Sequence, residues 1–119
     1  MTTPVPAPTT NTAMVIDQIA MEQRNHLDPL LRHRNAAAFT DQLEGLKQRN
    51  LLRYGRSTDV GPIEHSYVAI VDPADRSVRA VLSPVIDGVR YDLATNETVA
   101  PDEMRERFRG LGTIWFSFH

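Results

Sequence analysis

The sequence predicts an α+β domain, with N-terminal helices packed on an antiparallel sheet and a short helix before a C-terminal strand. Three observations carry this expectation. Apolar residues recur at spacings of three and four between Thr12 and Asn50, the period of a helix face, and the pattern then changes to alternation. The densest apolar run, Ile63–Asp72 (IEHSYVAIVD), alternates like a strand and turns apolar on both faces in its middle, as a central covered strand does. Finally, Thr113–Phe118 (TIWFSF) is too aromatic and too short for anything but a strand.

Taken in order, residues 1–11 are rich in Pro and Thr and read as an extended, flexible tail, leaving residues 12–119 as a single α+β domain. A helix is expected from Thr12, with Val15, Ile16, Ile19, Ala20, Gln23 and Leu27 on one stripe. Asp28-Pro29 is expected to break it, because proline lacks the amide a helix interior needs. Asn35 then caps a second helix whose stripe is Phe39, Leu43 and Leu46, with Asn50 as its stop. Leu51–Tyr54 is either a short edge strand or the end of that helix.

After a loop at Arg56–Pro62 comes the strand Ile63–Asp72, then a turn at Asp72-Pro73-Ala74-Asp75 and a return strand over Ser77–Ser83. On that strand Val78, Ala80 and Leu82 alternate against Arg79 and Val81. Pro84 interrupts the ladder. Asp87-Gly88 marks a two-residue hairpin, after which Val89, Tyr91 and Leu93 are expected inward and Arg90 and Asp92 outward. Pro101, Asp102 and Glu103 open a short helix with Met104 and Phe108 as its buried pair and Gly110 past its end. The closing strand has to pair inside the sheet, since its aromatic groups would otherwise leave a sticky edge.

The 119 residues carry a net charge of −2, no cysteine and no apolar run near the length of a membrane span. Disulfides, thiolate metal sites and a cysteine nucleophile are thereby excluded. The first residues lack the basic-then-apolar layout of a secretory signal, so the default location is cytoplasmic, with a signal-less secretion route left open. There is no zinc-protease histidine pair, no Gly-rich phosphate loop and no nucleophile elbow, so neither a metal nor another cofactor is expected. Basic residues do concentrate between Arg24 and Arg56, among them Arg32, Arg49 and Arg53. They read first as the solvated faces of two amphipathic helices, and second as a surface for an acidic partner or nucleic acid.

His65 is the one residue at which chemistry is open. The expected role is a core histidine that donates a ring nitrogen to a backbone carbonyl. A histidine at the head of a strand (HSYVAIVD), a return strand closing as Leu82-Ser83-Pro84, and an ending APDEMRERFRGLGTIWFSF together resemble papain-like hydrolases. More narrowly they resemble the double-glycine leader peptidase domains fused to bacterial peptide exporters. The resemblance spans the opening helix and roughly the last half of the chain. It implies a nucleophile at the start of the first helix, where this chain offers Thr12 and no cysteine, and an orienting aspartate where this chain has Ser83. Without its outer members a triad leaves an imidazole with nothing to activate.

The expected function is therefore a non-catalytic domain that binds a protein or peptide, with Tyr67, Trp115, Arg32, Arg49 and Arg53 as candidate contacts. The alternatives are a papain-like hydrolase or amide transferase using His65, Thr12 and Ser83, and nucleic-acid binding through Arg24–Arg56. Oligomeric state is not readable from the sequence.

Overall fold

The chain wraps a four-stranded antiparallel sheet with helices on one face and a thinner layer on the other, an α+β architecture. The computed structural model describes residues 19–119, so Thr12 and most of the helix expected to start there lie outside it. Helix α1 spans Met21–Leu31 and α2 spans Ala36–Gln48. Contrary to expectation, α1 runs through Pro29 instead of breaking at it. Leu27 and Leu30, on either side of the proline, are both buried in the core, and their burial holds the register that the missing amide would loosen. Only two residues of helix follow, and the amides of Arg32 and His33 then turn back to the carbonyls of Pro29 and Leu30.

Helix α2 is built as its sequence indicates. The Asn35 side chain accepts hydrogen bonds from the amides of Ala37 and Ala38, and Phe39, Leu43 and Leu46 form the buried stripe. Asn50, with φ of 62°, ends the excursion. Strand β1 (Leu52–Gly55) follows as a short edge strand, which settles the choice at Leu51–Tyr54.

The sheet order is β1-β6-β2-β3, where β2 is Tyr67–Asp72, β3 is Ser77–Leu82 and β6 is Gly112–Phe118. The closing strand thus lies inside the sheet, paired with β1 on one side and β2 on the other. The central strand is shorter than the apolar run suggested. Ile63–His65 forms a 3-10 turn, and the ladder begins at Tyr67.

Side-chain alternation divides the core. Tyr67, Ala69, Val81 and Phe116 face the helices, while Val68, Ile70, Leu82 and Trp115 face the other way. Beneath the helices, Tyr67 stacks on Phe116 at 5.1 Å and Phe39 meets Phe116 edge-on at 5.9 Å. One face assignment on β3 differs from the expected one. Ile70 pairs with Ala80 but Val71 pairs with Val78, so Arg79 is an extra residue. This bulge turns Val78 to the helix side with Val81 instead of leaving it with Ala80 and Leu82. Arg79, set outward, reaches Asp72 at 2.6 Å.

The second face is covered by short pieces. Asp87 and Gly88 both adopt positive φ, 53° and 85°, making the two-residue hairpin that their sequence calls for. A ribbon of β4 (Arg90–Tyr91) and β5 (Thr98–Val99) follows, then α3 (Met104–Arg107). Val99 is fully buried against this face, and Met104, Phe108 and Leu111 pack on it while remaining partly exposed.

Candidate functional site

Where β2 and β3 part company, the sheet needs a donor that its own backbone lacks. Val68 pairs with Leu82; continued by two residues, that register would set Ser66 opposite Pro84, which has no N–H to offer. The Arg90 side chain supplies one instead. Its Nη1 donates to the carbonyls of Ser66 (2.5 Å) and Ser83 (3.0 Å), and its Nη2 donates to the carbonyl of Ile63 (2.8 Å). The guanidinium also lies over the Trp115 ring at 5.3 Å. Arg90 is only 4 % exposed, so the outward placement expected from strand alternation is wrong. An arginine turned into a core at this price in hydration needs its donors satisfied, and three carbonyls and an aromatic face satisfy most of them.

Burial pushes the Arg90 pKa down from its usual value, opposed by the nearby charge of Glu64. Glu64 is exposed, so water screens much of that attraction. Among the described residues no carboxylate bonds to this guanidinium.

Around this arginine opens a cleft of about 1200 Å³. Ile70, Arg90 and Trp115 (8 % exposed) lie along it on the sheet side, Ile63 and Glu64 come from the 3-10 turn, and Val85 and Gly88 from the hairpin. Met104, Phe108 and Leu111 form the opposite wall, with Asp102, Arg105, Glu106 and Arg109 bringing charge to it. Trp115 is fixed by a hydrogen bond from its indole N–H to Thr113 Oγ1 at 3.1 Å. An apolar pocket with one buried, convergent cation is the usual build of a binding site.

The residues singled out in the sequence fare unevenly. His65 is not a core residue: it is exposed at the end of the 3-10 turn, and its imidazole bonds to no described residue. The reason is the late start of β2, which leaves the imidazole on the turn and not in the ladder. Ser83 is buried, its hydroxyl donating to the Pro84 carbonyl and accepting from the Tyr91 amide, so it makes no hydrogen bond to His65. Thr12 lies outside the described residues. Tyr67 is 1 % exposed, its hydroxyl donating to Gln23 Oε1, and it offers no surface to a partner. Trp115 is brought to the cleft.

Arg32, Arg49 and Arg53 are all exposed. Arg32 precedes α2 and Arg49 follows it, so ~20 Å of helix separates them and they do not make one compact patch. Among the described residues no group of three or more histidines, aspartates and glutamates is arranged to hold a metal ion, and no helix is long and apolar enough to cross a membrane.

No protein-family profile, curated protein or solved structure matches this chain.

Proposed function

We propose that this domain is a non-catalytic binding module that takes a protein or peptide segment in the cleft beside Trp115. The observation that carries this is the cleft itself: some 1200 Å³ with apolar walls, a fixed indole and a buried cation. That volume suits a few residues of chain. The lack of cysteine suits a reducing compartment, and the cytoplasm is the proposed place of action.

Trp115 is the single tryptophan of the chain, so its emission reports on the cleft without a label. Titration with pooled acetylated hexapeptides that vary at every position is expected to shift that emission saturably. No change with any pool, together with turnover of an amide substrate, would remove the proposal.

The papain-like alternative keeps one supporting observation, the exposed and unengaged imidazole of His65 at the mouth of the central strand. It requires a nucleophile within reach, ~3 Å, of that ring. Amide hydrolysis abolished by His65→Ala would favour it; activity absent from the unaltered protein, or unchanged in that variant, would dismiss it.

A further inference from the structure

Arg90 specifies more than a generic cleft. A guanidinium has N–H donors on all three nitrogens. Both hydrogens of Nη1 and one of Nη2 go to the carbonyls of Ser66, Ser83 and Ile63, which leaves Nε–H and one Nη2 hydrogen without an acceptor among the described residues. The group is more than nine-tenths buried and lines the cleft. Buried arginines are normally matched by a carboxylate, and a lone one carries a desolvation cost that an incoming anion would relieve.

Building on the peptide-binding proposal, we infer that the cleft takes the free C-terminal carboxylate of a peptide ending in an apolar residue, with the carboxylate on Arg90 and the last side chain against Trp115, Met104 and Phe108.

A chain terminus fits better than an acidic side chain within a chain. A terminal residue bears its carboxylate and its apolar side chain on one Cα, which matches a buried cation set directly beside an apolar wall. Asp or Glu brings the charge without the adjoining apolar surface. A terminus also enters a recess without the backbone having to turn and leave. Glu64, on the same turn as Ile63, works against the anion and sets an upper limit on its affinity.

The test compares two pools of acetylated hexapeptides, each with mixed apolar residues at the last two positions, one as free acids and one as C-terminal amides. Trp115 emission is the readout, and the unaltered protein is used, so the result does not depend on a variant folding. Free acids are expected to bind at least ~10-fold more tightly than amides, the scale of one charge-assisted pairing. A third pool, amidated but with glutamate in the fifth position, should bind no better than the plain amides.

Equal binding of acids and amides would overturn the carboxylate assignment while leaving peptide binding intact. Preference for the glutamate pool would overturn the terminus in favour of a side chain. Binding by none of the pools would remove both the assignment and the peptide-binding proposal beneath it.

Discussion

The two faces of the sheet are covered in different ways. On one, two full helices bring Leu27 and Leu30 from α1 and Phe39, Leu43 and Leu46 from α2 into one cluster with Tyr67 and Phe116, and the aromatic rings touch one another. On the other, a two-residue ribbon, a hairpin and one turn of helix leave Met104, Phe108 and Leu111 half covered beside a cleft. The first face is closed by apolar packing, with hydrogen bonds from Tyr67 to Gln23 and from Tyr54 to Glu44 beside it and no buried charge. The second contains a buried cation that hydrophobic packing does not require. The comparison teaches that stability and recognition are divided across the thickness of one sheet: alternation along β2 and β6 sends each neighbouring side chain to one task or the other.

The largest effect should come from the helix-covered face. Phe116→Ala removes a fully buried ring at the centre of the aromatic cluster and is expected to cost about 3–5 kcal/mol, read as a lowered urea midpoint. A loss below about 1 kcal/mol would mean that this face is not the stabilising one.

Next comes Arg90→Met, which fills similar space but leaves the carbonyls of Ile63, Ser66 and Ser83 without their donor. A cost of about 2 kcal/mol is expected, reduced because the guanidinium's own desolvation is relieved. An unchanged or raised midpoint would sharpen the contrast instead, showing that the cation is retained against stability.

Phe108→Ala should be milder. Its ring is only partly buried, so about 1 kcal/mol is expected in denaturation, while binding in the cleft weakens more than the fold does. A stability loss as large as that of Phe116→Ala would erase the distinction between the faces.

The smallest effect concerns the link from α2 to the sheet. The Tyr54 hydroxyl donates to the Glu44 carboxylate; this bond holds Glu44 below its ordinary value and pushes Tyr54 up to about 12. The lowered carboxylate contributes stability above its ordinary 4.5 that is lost as pH falls through the folded value. The raised phenol contributes stability below its ordinary 10 that is lost as pH rises through about 12. Tyr54→Phe should therefore lower stability slightly, most clearly between pH 4.5 and 10, with the difference shrinking beyond either end. Denaturation midpoints across pH check this, and a difference that did not shrink at all as pH falls below 4.5 would show that the ion is not involved.

Much of this fold was legible because local signals agreed with tertiary ones. The Asn35 cap, the stripe of Phe39, Leu43 and Leu46, the Asp87-Gly88 turn and the two-sided burial of Val68 to Ile70 all follow from spacing or turn chemistry. Pro29 was misread because burial of Leu27 and Leu30 outweighs a local break that sequence alone cannot weigh. Val78 was misplaced because a bulge adds one residue and flips the faces on one side of it.

The site was the least legible part. Alternation along a strand of two residues carries no information, and it placed Arg90 outward. The usable signal was Pro84 following β3, which announces a carbonyl across the ladder in need of a donor from elsewhere. His65 drew attention by residue type, yet it stands on a turn outside the ladder, and the cleft lies where the sequence offered only Trp115.

Two-dimensional NMR of the protein with and without the free-acid peptide pool tests the division of labour most directly. Resonances of the Trp115 indole, the Gly88 amide and the Met104 methyl should move together on saturation, while those of Phe39 and Leu43 stay in place. Shifts centred on the helix-covered face or on the basic residues Arg32, Arg49 and Arg53, with the Trp115 indole unmoved, would contradict it.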